Sequence, residues 1–110
     1  MQVQAITKNV RMSAQKMREM VRQIQGLPAL HAQAVLAVVP RKSARVVAKT
    51  LRSAIANAEN NNGAKAESLT VKEAVAQTAT TLKRFTPKAR GSAGPILKRS
   101  CHVKIVVSDE

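Results

Sequence analysis

Aromatic residues are almost absent from this sequence of 110 residues, which contains one Phe, no Tyr and no Trp. Proteins that read single-stranded nucleic acids by base stacking use aromatic side chains as the stacking surfaces. The chain therefore cannot form the aromatic platform of an RNA-recognition motif or of an oligonucleotide-binding barrel. Its core must be built from Val, Ile, Leu, Ala and Met.

Cysteine occurs once, as Cys101, so no disulfide can form within the chain. This usage fits the reducing cytosol. No run of 18 apolar residues is present to span a membrane, and the first residues lack the charged start and apolar run of a secretory signal. We expect a cytoplasmic protein with no membrane partner.

Acidic residues are also scarce, since six Asp and Glu stand against 19 Lys and Arg, which gives a formal net charge of +13. Charge of one sign in such excess destabilises a compact chain by self-repulsion. A polyanion is therefore the expected partner. Without aromatic platforms the chain must recognise backbone and shape, which favours folded RNA.

Side chains for catalysis are few and poorly placed. Cys101 and His102 are neighbours on a predicted strand, so they point to opposite faces, and Cys101 is expected in the core. His31 is isolated, and no Cys and His spacing suits a metal. Residues 91–94 lack the Gly-Lys-Ser/Thr sequence that ends a phosphate-binding loop. We predict no enzyme, no cofactor, no metal site and no small-molecule substrate.

Apolar residues at helical spacing predict two helices in the first third of the chain. The first covers residues 14–25, with Ser13 as its N-cap and Gly26 as its C-cap. The second runs from about residue 28 to residue 38. Its apolar face is expected to consist of Leu30, Ala34, Val35 and Val38.

The third predicted helix is the clearest element and ends at an Asn-Asn-Asn-Gly turn over residues 60–63. Its alanine-rich core face comprises Ala44, Val47, Ala48, Leu51, Ala54, Ile55 and Ala58. Strands are predicted at residues 2–10, around residues 69–75 and at the C-terminus. In the second strand Leu69, Val71 and Val75 should share a face. In the last one Cys101, Val103, Ile105 and Val107 should share a face.

Residues 80–100 hold six cations and no acid, together with two Pro and two Gly. The segment is too long for a tight hairpin loop. We expect a long basic hairpin arm within a single domain of residues 1–110, whose body is residues 1–79 and 101–110. Two further basic blocks lie around the first helix and along the third, opposite its alanine face. Three blocks in one small domain favour nucleic-acid binding over ordinary solvated surfaces.

Four motifs then carry a family resemblance, in order along nearly the whole chain. They are Lys8-x-x-Arg11-x-Ser13-x-x-Lys16-x-Arg18 with Ile24-Gln25-Gly26, Ser53-Ala-Ile-Ala-Asn57-Ala-Glu59-Asn60, Lys83-Arg84-x-x-Pro87-x-Ala89-x-Gly91 with Ile96-Leu97-Lys98-Arg99-x-x-His102, and Val106-Val107-Ser108. The sequence resembles the family of bacterial large-subunit ribosomal proteins numbered twenty-two.

The resemblance implies an α+β fold, a three-stranded antiparallel sheet packed on three helices, with a long protruding basic β-hairpin. It implies a structural constituent of the large ribosomal subunit that binds and organises large-subunit rRNA. The hairpin would line the nascent-peptide exit tunnel. Neighbouring ribosomal proteins and transient nascent peptides would be further partners, within the cytoplasmic ribosome.

The predicted site residues combine the basic blocks with this resemblance. The rRNA-binding set is Lys8, Arg11, Lys16, Arg18, Arg41, Lys42, Arg45, Lys49, Arg52, Lys83, Arg84, Lys88, Arg90, Lys98 and Arg99. The predicted tunnel-lining tip is Lys88, Ala89, Arg90, Gly91, Ser92 and Ala93. The family usually has more charge after the Gly91 position, where this chain has Ser92, Gly94 and Pro95, so the contacts of the tip are in question.

Two other hypotheses fit the charge. An architectural DNA-bending protein also uses a basic β-arm, with Pro87 or Pro95 as a possible wedge, but it usually requires an apolar dimer interface. A cationic membrane-surface protein requires large apolar residues opposite its charges. The third helix offers mainly alanine there.

Overall fold

The computed structural model describes residues 2–87, 91 and 93–109 of the chain. In chain order the elements are β1 (Gln2–Val10), α1 (Ala14–Ile24), α2 (Ala29–Val38), α3 (Lys42–Asn62), a short 3-10 helix (Ala66–Ser68), β2 (Thr70–Thr78), β3 (Leu82–Pro87), β4 (Ala93–Lys98) and β5 (Cys101–Ser108). The described part is therefore α+β, with three α-helices and antiparallel strands, as the sequence predicts.

The main sheet has three strands in the order β1-β5-β2, and β5 pairs antiparallel with both neighbours. In β5 the side chains of Cys101, Val103, Ile105 and Val107 are all buried, which confirms the predicted face. β5 is the central strand, and its alternating apolar side chains lie on the face of the sheet against which the helices pack.

The predicted core face of β2 is wrong beyond Val71. That residue is buried, but the next buried residues are Ala74 and Ala76, whereas Val75 is half-buried. The pairing of β2 with β5 shifts between Val71 and Glu73. One extra residue in a β-bulge moves every later side chain to the opposite face.

Helix α1 buries its predicted apolar face against the sheet, and Ser13 caps it by accepting a hydrogen bond from the Lys16 backbone N–H at 3.4 Å. The helix ends one residue earlier than predicted, at Ile24. Gly26 follows with φ of 86°, a conformation that costs glycine little. Its N–H donates to the Val71 carbonyl at 2.8 Å, so the end of α1 is joined to β2.

Helix α3 lies across the sheet and contacts β1, β5 and α2. Most of its predicted core face is fully buried, and only Ala48 is half-buried. Small alanine side chains allow close approach of the helix to its neighbours. Its end at Gly63, with φ of 65°, confirms the predicted turn.

The predicted core face of α2 is also wrong. The buried residues are Ala29, Ala32 and Leu36, while Leu30 is 45% exposed and Val38 is 80% exposed. Because α2 is apolar on every side, its periodicity does not select the buried face. At the start of α2 the Ala29 N–H donates to the Leu69 carbonyl at 2.9 Å, which joins the helix to the segment before β2.

Strands β3 and β4 pair only with each other among the described strands, from Leu82 opposite Lys98 to Pro87 opposite Ala93. Two hydrogen bonds join the segments that lead into and out of this pair. The Ala79 N–H donates to the Ser100 carbonyl at 3.1 Å, and the Ser100 hydroxyl donates to the Thr80 carbonyl at 3.0 Å. The base of the predicted arm is thus held closed.

The close packing of α3 can be tested with two alanines on opposite sides of the helix. We expect Ala54→Leu to lower the free energy of unfolding by about 1–3 kcal/mol, because Ala54 is fully buried and three more carbons would overpack the core around it. Urea denaturation followed by circular dichroism measures this change.

The control is Ala56→Leu on the exposed side of the same helix. It should change the free energy of unfolding by no more than about 0.5 kcal/mol. Equal effects of the two variants would contradict the described orientation of α3.

Candidate nucleic-acid interface

Two basic blocks that are separate in sequence meet where the start of α1 lies beside the start of α3. The Lys42 ammonium donates to the Arg11 carbonyl at 3.2 Å. Lys16, Arg41 and Lys42 line one cleft of about 430 Å³. We call the surface formed by Arg11, Lys16, Arg41 and Lys42 the α1–α3 surface. This surface brings together cations from the segment between β1 and α1, from α1 itself and from the start of α3.

One carboxylate lies within this surface. The Arg41 guanidinium is 3.3 Å from the Glu19 carboxylate, and the two side chains are 59% and 57% exposed. A solvated pair of this kind contributes about 0–1 kcal/mol. Glu19 is thus a local salt partner of Arg41, and the Arg41 guanidinium stays accessible to another anion.

Farther along α3, the predicted cations Arg45, Lys49 and Arg52 are exposed. They lie away from the buried alanine face, as their spacing predicts. Arg45 and Arg52 also line a groove of about 370 Å³ against the apolar end of α2, which includes Val38. The cationic surface therefore continues from the start of α3 along the helix.

A second junction of predicted cations lies at the base of β3 and β4. Arg18 of α1 and Arg99, which lies between β4 and β5, line a cleft of about 450 Å³. The Arg18 Nε–H donates to the Ala76 carbonyl at 3.2 Å. The hydroxyl-bearing Thr78 and Thr81 also line this cleft. No sequence pattern distinguishes these two threonines from other polar residues, so sequence reasoning missed them.

The remaining predicted site residues are spread over other elements. Lys8 is exposed on β1, and Lys83 and Lys98 are exposed on β3 and β4. Predictions for Lys88, Ala89, Arg90 and Ser92, and for the side chains of Arg84 and Ala93, lie outside the described residues. Lys8 is not among the residues that line the two clefts described above.

The Cys101 and His102 pair has no catalytic arrangement. Cys101 is buried, and burial raises the pKa of its thiol. His102 lies on the other side of β5, where its Nδ1 accepts a hydrogen bond from the Asn9 backbone N–H at 3.0 Å. Within residues 2–87, 91 and 93–109 no three potential metal ligands cluster, and no helix of that part is long and apolar enough to cross a bilayer.

A small α+β protein with exposed cations on its helices, strands and connecting segments belongs to the class of basic proteins suited to a polyanion. The family described as ribosomal protein L22p/L17e matches residues 5–108. Large ribosomal subunit protein uL22 of Opitutus terrae is 56% identical over 109 residues, which cover 99% of this chain and 96% of the Opitutus protein. The chain belongs to this ribosomal protein family, which confirms the resemblance.

The buried state of Cys101 has a chemical consequence. Because the pKa of the thiol is raised, the reactive thiolate is rarer at pH 8 than in an unfolded chain. We expect iodoacetamide to alkylate the native protein much more slowly than the urea-unfolded protein, as measured by mass spectrometry over time. Equal rates would contradict the placement of Cys101 in the core.

Proposed function

We propose that the chain is a structural constituent of the large ribosomal subunit in the cytoplasm and that it binds and organises large-subunit rRNA. Membership of a ribosomal protein family supports this, and the Opitutus relative is itself named for the large subunit. A ribosomal protein family is not a class of enzymes, and the proposed role requires no cofactor.

The α1–α3 surface is the observation that carries the proposal. Lys16, Arg41 and Lys42 line one cleft there with one solvated carboxylate, Glu19, and the Arg11 backbone carbonyl accepts a hydrogen bond from Lys42, in a chain of net charge +13. Like charges this close repel one another unless an anion lies between them. A phosphate backbone supplies closely spaced anions and gains free energy from released counterions when Lys and Arg bind it.

The body and the arm base would contribute further contacts to the same RNA. In the body the proposed residues share exposure and positive charge. They are Lys8, Arg11, Lys16, Arg18, Arg41, Lys42, Arg45, Lys49 and Arg52. In the arm the proposed residues are Lys83, Arg84, Lys88, Arg90, Lys98 and Arg99. Recognition would be of backbone and shape, because the chain lacks aromatic stacking surfaces.

Residues 80–100 form the proposed arm on a body of residues 1–79 and 101–110. The exclusive pairing of β3 with β4 among the described strands supports this division. The radius of gyration gives further support, since it is 17.1 Å, whereas a compact domain of this length has about 13 Å. One long dimension of 63 Å against 26 and 17 Å is also consistent with a protruding segment.

The arm tip would line the nascent-peptide exit tunnel, a proposal that rests on the family resemblance. The tip residues would be Lys88, Ala89, Arg90, Gly91, Ser92 and Ala93, in contact with rRNA and with passing nascent peptides. Ser92, Gly94 and Pro95 reduce the charge there relative to the usual family pattern.

The two competing hypotheses lose support from family membership. Nothing among the described residues favours a DNA-bending role or a membrane-surface role over rRNA binding. A gel shift that compares the binding of large-subunit rRNA fragments with the binding of duplex DNA distinguishes rRNA binding from the DNA-bending role. Equal or tighter binding of the duplex would favour the DNA-bending role and contradict the rRNA proposal.

Arm insertion can be tested by changing Lys83 and Arg84 together to Ala. We expect the variant to keep its melting temperature, since the body would be unaffected, but to leave large ribosomal subunits at lower salt than the wild type. Co-sedimentation with purified subunits, followed by washes of rising salt concentration, measures the loss.

The matched control is the double variant Lys65→Ala and Lys72→Ala, which removes the same charge from exposed residues outside the proposed interface. This control should stay bound at higher salt than the arm variant. Identical wash profiles, or an arm variant that unfolds in isolation, would count against an inserted arm.

A further inference from the structure

A cleft of about 450 Å³ lies where α1 meets the segments that lead into β3 and out of β4. We propose that this cleft binds one backbone phosphate of the RNA, held between the guanidinium groups of Arg18 and Arg99. The inference rests on the proposed rRNA binding and assigns a specific phosphate site to it. Arg18 and Arg99 both belong to the predicted rRNA-binding set, and the new claim is that the two side chains share one phosphate at the base of the arm.

Arg18 is held in place for such a contact. Its Nε–H already donates to the Ala76 carbonyl at 3.2 Å. A guanidinium has five N–H donors in a rigid planar fork. The four on the terminal nitrogens make no hydrogen bond to residues 2–87, 91 and 93–109, and the bond to β2 reduces the entropy lost when they bind a second partner. Anchored in this way, the side chain can present two parallel donors to two phosphate oxygens.

Arg99 brings a second positive charge to the same cleft from a different part of the chain. Neither arginine forms an ion pair with a carboxylate of residues 2–87, 91 and 93–109, and no Asp or Glu lines the cleft. Thr78 and Thr81 line it as well and can donate hydroxyl hydrogen bonds. Two cations, neutral donors and no competing acid form a set complementary to a phosphodiester anion.

The arm base that carries Arg99 is itself fixed. Hydrogen bonds from Ala79 to Ser100 and from Ser100 to Thr80 join the two segments beside the cleft. A phosphate bound by Arg18 on one side and by Arg99 on the other would connect α1 to this base. The RNA would therefore set the direction in which the arm leaves the body.

The test measures binding of large-subunit rRNA by filter binding at one fixed salt concentration. Arg18→Ala and Arg99→Ala should each weaken binding by about tenfold, the usual size for a lost hydrogen bond to a charged group. The double variant should lose less than the product of the two single losses, because both side chains bind one phosphate. Arg18→Lys keeps the charge but loses the fork and the bond to Ala76, so its binding should lie between that of the wild type and that of Arg18→Ala.

Arg22→Ala is the matched control, because Arg22 is an exposed arginine one turn along α1 that does not line the cleft. Arg22→Ala should weaken rRNA binding less than Arg18→Ala does. In the double variant of Arg22→Ala with Arg99→Ala, the two fold-losses of binding should multiply. If Arg18→Ala lowers the melting temperature, the deciding comparison is between the other two variants. Arg99→Ala should then bind rRNA more weakly than Arg22→Ala does.

The two proposals fail in different ways. A wild-type chain that does not bind the rRNA would overturn the proposed function. The phosphate site alone would be overturned if the wild-type chain binds the rRNA but the binding losses of Arg18→Ala and Arg99→Ala multiply and are no larger than that of Arg22→Ala.

Discussion

Repulsion among 19 Lys and Arg, opposed by six acids, is the constraint on which the rest of this structure depends. Of the cations whose side chains are described, all except the half-buried Lys104 are exposed, so the fold keeps positive charge out of its interior. The cost of this repulsion appears where cations from different segments lie together, as Lys16, Arg41 and Lys42 do around one cleft. A polyanion that bound these junctions would remove that cost and stabilise the native state by mass action.

The core that supports this surface is made of small and medium aliphatic side chains. The central strand β5 supplies Val103, Ile105 and Val107, and the alanines of α3 lie close above the sheet. Such a core buries less apolar area per residue than one with aromatic side chains, and so gives less stability. A small buried apolar area and strong surface charge both favour a protein that reaches its full stability on its partner.

Elements with one-sided patterns could be predicted from the sequence, and elements without them could not. The faces of α3 and β5 follow directly from their periodicity. The α2 face could not be predicted, because a largely apolar helix has no preferred face until it packs in the tertiary structure. A bulge after Val71 has no sequence signal. The exposure of the cations could be predicted from their charge. That Arg18 and Arg99 line one cleft could not be predicted, because it depends on tertiary structure.

The salt dependence of binding tests the central claim most directly. The association constant of the full chain for large-subunit rRNA would be measured over a range of monovalent salt concentrations. If many phosphates neutralise the cationic surface, the log–log slope should be about −5 or steeper, since each contact contributes about −0.7 to −0.9. A slope close to zero would show that the excess charge is not what binds the RNA and would contradict the claim.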